Sequence, residues 1–307
     1  MMDRTDEEDL MSAQPDTEHR LDPIAVVGAG QMGAGIAEVL ARAGNQVRLV
    51  DARPGVADQV TERLALSTLR PAETLEDAVL GAGLIVEAVS EDLQVKADLL
   101  AELGRLTPAA IIASNSSTFG PSELAPHAAD PARLVVAHFF YPATVVPLVE
   151  LVPSEHSDPG VLDAVQDLLT GAGRTVVRLR RDVPGFVANR LQAALLREAI
   201  HLVEEGVLDV AGIDEIVTAS IGVRWSLAGP FRISDLGGLD VWAAVCGRLW
   251  PDLGADTVPT WLQQRVAAGE LGAKSGRGAY DPAEPAGEAY LRGLAERYAE
   301  SAGPAGS

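Results

Sequence analysis

The sequence predicts an α/β fold, with an N-terminal doubly wound parallel sheet followed by a C-terminal all-helical domain. Three observations carry that reading. Short β-rich runs alternate with helical patterns over the first part of the chain, the signature of parallel strands joined by crossover helices. A glycine-rich turn separates the first of those runs from the first helix. After Pro184 the apolar spacing becomes helical, and no strand pattern follows as far as about Ala268.

The strands are expected at 24–28, 46–51, 84–88, 110–114, 134–138 and 148–152, with 174–179 as a further candidate. Helices at 32–43 and 92–105 lie between them. Beyond Pro184, the residues Val187, Leu191, Leu195, Ala199 and Leu202 recur at helical steps and form one apolar face. Pro184 suits the start of that helix, and Gly206 follows its end. A length of 307 residues accommodates about two domains. The expected division is an acidic tail over 1–22, a dinucleotide-binding domain over 23–183, a helical domain over 184–285 and a C-terminal segment over 286–307. Residues 1–20 carry seven acids and two bases with little apolar content, which reads as a solvated tail. A partner-binding tail is the other reading.

Composition removes several function classes. A net charge of −20 opposes binding to nucleic acid, which requires a basic face, and disfavours anionic membrane surfaces. No run of about 18 apolar residues exists, so no membrane span is expected. The N-terminus lacks the basic-then-apolar order of a signal peptide. One cysteine, Cys246, rules out an intrachain disulfide; a reducing, cytoplasmic setting is expected, with Cys246 in the core. His19, His127, His138, His156 and His201 show no ligand-like spacing, so no metal is expected.

The glycine turn carries the first chemistry. Gly28, Gly30 and Gly33 stand in the order G-x-G-x-x-G after an apolar strand and at the start of a helix. A second strand ends in an acid, Asp51. In that context the pattern is the Rossmann dinucleotide fingerprint, with the pyrophosphate against the helix N-terminus at Gln31 and Met32. Asp51 can accept both adenosine ribose hydroxyls and would repel a 2′-phosphate, so NAD is expected over NADP. Arg53 beside it is a residue type that can accommodate that phosphate. A set of glycine turns in a sheet that binds nothing is the bland alternative.

Three further segments fit one reaction: Ser114-Asn-Ser-Ser-Thr118; His138-Phe-Phe-Tyr-Pro142 with Leu148-Val-Glu150; and Pro184-Gly-Phe-Val-Ala-Asn-Arg-Leu191. Together with Glu87-Ala-Val, Lys96 and the closing Leu271-Gly-Ala-Lys-Ser-Gly-Arg-Gly-Ala-Tyr280, they resemble the L-3-hydroxyacyl-CoA dehydrogenase family over about Ile24 to Asp281. Oxidising a secondary alcohol requires a proton acceptor with a pKa near the working pH, which favours histidine. His138 is the candidate base. The resemblance implies that Glu150 braces the imidazole, that Ser117 bonds the reacting oxygen and that Asn189 holds the substrate. It also implies a nicotinamide against Ala88, Val89 and Asn115, with Glu91 and Lys96 near the cofactor or substrate edge. Each has a plainer reading. A lone strand-end histidine is usually structural, Ser117 can cap a turn, and Asn189 can bond its own helix. Glu150 lies in an apolar run, where an unpaired acid is costly.

Three departures bear on the substrate. Tyr141 replaces the family's usual asparagine. The stretch between Asp51 and Leu84 is short where many CoA-specific members carry a basic helical hairpin. Arg224 and Trp225 resemble segments of the branch that includes L-gulonate 3-dehydrogenase and carnitine dehydrogenase, where an arginine fork can grip a free carboxylate. Arg224 is equally readable as a salt-bridge partner. Arg174, Arg178, Arg180 and Arg181 form a basic cluster that either receives phosphates or an acidic carrier protein, or is a solvated strand edge.

The leading expectation is NAD-dependent oxidation of an L-3-hydroxyacyl thioester, linked to CoA or a carrier protein, or the reverse reduction. The alternatives are a dehydrogenase of a small free 3-hydroxy carboxylic acid and a non-catalytic dinucleotide-binding protein. The resemblance also implies a homodimer through the helical domain. Leu236, Leu239, Val241 and Trp242 are candidates for that contact or for the core.

Overall fold

The computed structural model describes residues 21–254, 259–272, 275–281 and 288–301. Most of the expected acidic tail lies outside the described residues. The last two positions assigned to it belong to the fold instead, since Leu21 is buried and Asp22 Oδ1 accepts from Gln46 N at 3.0 Å. The chain divides into two compact units between Phe186 and Val187.

The first unit is built on one eight-stranded sheet. Its strands are β1 (Ile24–Val27), β2 (Val47–Val50), β3 (Leu69–Pro71), β4 (Leu84–Glu87), β5 (Ile111–Ser114), β6 (Leu134–Phe139), β7 (Leu148–Val152) and β8 (Thr175–Arg178). The spatial order is β3-β2-β1-β4-β5-β6-β7-β8, so the chain reverses direction beside β1. Ligands of such sheets lie in the crevice at that switch point, outside the carboxyl ends of the strands. Strand β3 was not expected. It is a three-residue edge strand ending in proline, with too little pattern to signal itself.

The sheet is not wholly parallel. Strands β1 to β6 run parallel, but β7 pairs antiparallel with β6, and β8 then pairs parallel with β7. Only eight residues, 140–147, join β6 to β7. A parallel crossover needs about a dozen or more, so the chain can only turn back.

Both faces are covered, and the buried strands alternate between two cores. Ile24, Val26, Leu49 and Leu84 meet α1 (Gln31–Arg42), α2 (Val56–Leu64) and α6 (Pro159–Gly171) on one side. Ala25, Val27, Ile85 and Ile112 meet α3 (Leu75–Val79), α4 (Leu93–Leu106) and α5 (Pro121–Leu124) on the other. Helix α4 starts where Asp92 accepts from Gln94 N and Val95 N, an N-cap that satisfies two orphan donors. Fully burying a side chain such as Leu100 or Leu103 stabilises by about 1.5–3 kcal/mol, so these faces hold the scaffold rigid.

The second unit is helical as far as it is described. It contains α7 (Ala188–Glu204), α8 (Val210–Ile216), α9 (Gly222–Leu227), α10 (Pro230–Gly237), α11 (Leu239–Leu249), α12 (Thr260–Ala267) and α13 (Glu288–Ser301). Pro184 does not begin α7 as expected. Phe186 has a positive φ of 50°, so the chain turns before the helix can start at Ala188. The apolar side chains of this unit are largely exposed: Leu227 at 85%, Phe231 at 90% and Leu236 at 79%. Leu239 and Val241 are exposed too, so of the candidates named for core or contact they are not core. Among the described residues, no helix is long and apolar enough to cross a membrane.

Candidate active site

The glycine turn has the geometry of a dinucleotide cradle. Gly28 has φ of +102°, and a Cβ there would strike the backbone of Ala88. A Cβ on Gly33 would overlap the Gly28 carbonyl, so glycine alone lets α1 approach β1 this closely. A Cβ on Gly30 would meet nothing within 4 Å. The N-cap of α1 is Gly30, and no side chain caps it. The opening is therefore left to the unsatisfied N–H groups of Gln31, Met32 and Gly33, whose dipole end attracts phosphate.

Asp51 follows β2 and ties the cradle together. Its Oδ2 accepts from Ala29 N at 2.7 Å, and its Oδ1 accepts from Arg53 N and Arg53 Nε, both at 2.9 Å. The Arg53 guanidinium is the largest influence on this carboxyl and lowers its pKa to about 2 against the opposing pull of burial. A charged carboxylate thus stands at the ribose end of the cradle, paired with an Arg53 side chain that is mostly exposed.

Across the sheet, His138 on β6 and Glu150 on β7 occupy directly opposed positions in the antiparallel register. His138 Nδ1 lies 3.0 Å from Glu150 Oε2, and both side chains are buried. Phe140 and Phe186 flank the imidazole, with ring centroids 4.5 and 5.4 Å away. Asn115 Oδ1 accepts from Phe139 N at 2.9 Å, tying the end of β5 to the strand that carries His138. An imidazole whose Nδ1–H is held by a carboxylate presents the lone pair of Nε2 as a proton acceptor.

Ser117 stands in the turn after β5 at the same carboxyl edge of the sheet. Its N–H and that of Thr118 donate to Glu91 Oε1 at 2.9 and 2.7 Å. Burial pushes the Glu91 carboxyl up, but the Ser116 hydroxyl, Lys96 and the Thr118 N–H outweigh it and hold the pKa below the ordinary range. Lys96 is 1% exposed and paired with Glu87 and Glu91. The Val89 N–H is likewise engaged, by Glu87 Oε1 at 2.9 Å. Glu87 and Ser116, to which the sequence motifs assign no role, complete this network. An acid closing the apolar strand Leu84-Ile-Val-Glu was the available signal, by the reasoning applied to Glu150.

Asn189 and Arg224 belong to the second unit, near the start of α7 and within α9, where Arg224 is exposed. Of the basic cluster, Arg174 Nη1 donates to Ala143 O at 3.1 Å and Arg178 Nη2 to Asp163 Oδ1 at 2.7 Å. Those two are committed within the first unit.

Comparison with known proteins settles the family. The model for the 3-hydroxyacyl-CoA dehydrogenase NAD binding domain matches residues 23–73 and 56–183, and that for the C-terminal domain of the same enzymes matches 185–282. The chain belongs to the 3-hydroxyacyl-CoA dehydrogenase family. It is an NAD-dependent dehydrogenase acting on a CH–OH group. The chain is 35% identical over 276 residues to a 5-formyl-3-hydroxy-2-methylpyridine 4-carboxylate 5-dehydrogenase of Mesorhizobium japonicum, covering 84% of this chain and 89% of that one. It is 36% identical over 283 residues to an L-carnitine dehydrogenase of Streptomyces griseus, covering 84% of each. A crystal structure of a 5-formyl-3-hydroxy-2-methylpyridine 4-carboxylic acid 5-dehydrogenase, an NAD+-dependent dismutase, superposes with a TM-score of 0.86. That match has 31% identity and covers 91% of this chain and 98% of that one.

Proposed function

We propose that this dehydrogenase oxidises the 3-hydroxy group of a small free carboxylic acid to a ketone, or runs the reverse reduction. Within the family, a thioester of CoA or a carrier protein is the second reading, and the one the sequence alone ranks first. The carrying observation is the stretch after β2. Between β2 and β4 the chain forms only the nine-residue α2, the three-residue β3 and the five-residue α3. It has no long basic hairpin of the kind that would meet CoA phosphates. Relatives named for free acids, a pyridine carboxylate and carnitine, stand beside relatives of like identity named 3-hydroxybutyryl-CoA dehydrogenase, so the short stretch carries the ranking. Arg224 is the candidate for the carboxylate fork.

The residues divide the work as follows. NAD, when bound, supplies the hydride acceptor. Gly28, Gly30, Gln31, Met32 and Gly33 receive its pyrophosphate, and Asp51 with Arg53 its adenosine ribose. Ala88, Val89 and Asn115 line the nicotinamide side. His138 Nε2 takes the hydroxyl proton, and Glu150 stabilises the imidazolium through Nδ1–H. Ser117 donates to the reacting oxygen, and Asn189 holds the substrate. The protein acts as a homodimer whose second copy covers the apolar side chains of the helical unit.

The test follows NADH absorbance with carnitine, L-gulonate, 3-hydroxybutyryl-CoA and a carrier-bound analogue, each with NAD and NADP. The expected result is a higher kcat/KM for a free acid, and an Arg224→Met variant with a strongly raised KM for that acid. Turnover confined to thioesters, untouched by Arg224→Met, would reverse the ranking. Sedimentation of the intact protein tests the dimer.

A further inference from the structure

Behind the serine turn lies a ladder of polar side chains whose base, Glu87, takes no part in the chemistry above. Its base is Glu87, the last residue of β4, which is 1% exposed. The Glu87 carboxylate accepts from Ser114 Oγ at 2.5 Å and from Val89 N at 2.9 Å. It also holds Lys96 Nζ at 2.8 and 3.0 Å. Lys96, reaching in from α4, continues to Glu91 Oε2 at 3.2 Å. Glu91 Oε1 then accepts from Ser116 Oγ at 2.7 Å, Ser117 N at 2.9 Å and Thr118 N at 2.7 Å. Two strands, one helix and two loops thereby converge on the backbone of residues 116–118.

Stability alone is a poor account of this arrangement. A buried ion pair is often no more stabilising than well-packed apolar side chains of the same volume. What the ladder does supply is geometry. Every oxygen of Glu87 and Glu91 is engaged, each partner fixes the next, and the last rung grips the turn that presents Ser117. The Ser117 hydroxyl itself is only 3.5 Å from Glu91 Oε1, a long contact that a substrate oxygen can replace.

We propose that Glu87 and Lys96 are positioning residues for Ser117, acting through Glu91, which clamps the 116–118 backbone. The proposal rests on the role given to Ser117 above. Preorganising a donor in this way matters because a displacement of about 1 Å at a reacting group can cost about 100-fold in rate.

The test uses the intact protein and the variants Lys96→Met, the double variant Glu87→Met/Lys96→Met, and Glu91→Ala, each with and without Ser117→Ala. Lys96→Met alone strands the Glu87 carboxylate and can fail to fold; the double variant removes both charges and keeps the test open. The expected result for the double variant is a recovered Tm but a kcat, measured at saturating NAD, lowered about 10- to 100-fold. Adding Ser117→Ala should cost nothing further, because both changes disable one group. Amide hydrogen exchange at Ser117 and Thr118 should quicken in the double variant and in Glu91→Ala. A double variant with wild-type kcat and wild-type amide protection would overturn the proposal. So would losses that multiply with Ser117→Ala, or a loss confined to NAD affinity. Full activity of Ser117→Ala by itself would instead remove the role of Ser117, while amide exchange would still report whether the ladder orders the turn.

Discussion

His138 and Glu150 meet because the chain turns back: the imidazole Nδ1 lies 3.0 Å from the carboxylate across two antiparallel strands, in direct register. His138→Gln should lower kcat by about 10²–10⁴-fold, the usual contribution of a general base. Glu150→Gln offers an amide N–H to Nδ1, favours the wrong tautomer, and should lower kcat to a similar degree. NAD affinity should survive both changes. Near-normal turnover in either variant, with NAD binding measured by fluorescence titration, would remove the pair from the reaction.

The glycine turn separates folding from binding. Gly33→Ala drives a methyl into the Gly28 carbonyl and should destabilise the fold by about 1–3 kcal/mol, as overpacking does. Gly30→Ala places its methyl in open space. Its Tm should be almost unchanged while the Kd for NAD rises. Thermal melts with and without NAD distinguish the two, and equal losses of Tm would contradict the assignment.

Coenzyme choice rests on Asp51. Asp51→Ser removes the charge facing a 2′-phosphate and leaves Arg53 to meet it. The NAD:NADP ratio of kcat/KM should fall at least about tenfold, equivalent to about 1.4 kcal/mol. An unchanged ratio would place coenzyme selection elsewhere.

Asp51 also predicts an acid dependence. Its carboxyl is lowered from the ordinary 3.8 to about 2 in the folded chain, chiefly by Arg53. A depressed carboxylate stabilises the fold above its unfolded pKa and loses that contribution as pH falls through the folded one. The stability gap between wild type and Asp51→Asn should therefore be full above about pH 4 and close towards pH 2. Arg53→Ala should begin to lose it at higher pH. Added salt should shrink the gap, because Arg53 is 68% exposed. A gap flat across that range would show that the Arg53 contact is not populated in solution.

Much of this was legible in residue order, and the misses have physical causes. The G-x-G-x-x-G turn and the acid after β2 define local geometry, and local geometry is what sequence encodes most directly. The direction of β7 was also there to be read, in a connection too short for a crossover. Glu87 is signalled only by its place at the end of an apolar strand, where an acid needs a buried partner that residue order does not name. Helix α7 starts later than Pro184 suggests because Phe186 adopts a left-handed conformation that a non-glycine residue does not advertise. The steps of four and three after Pro184 correctly signal a helix, but periodicity names a face and not what covers it.

The eight-residue connection between β6 and β7 makes the reaction sensitive to chain length as well as residue identity. Side chains alternate across a strand, so sliding β7 by one position against β6 would send the carboxylate of Glu150 to the opposite surface of the sheet. A single deletion within 140–147 that shifted the pairing would leave every catalytic letter in the gene and no working dyad in the protein. Insertions and deletions there are a more searching probe of the hairpin than any point substitution.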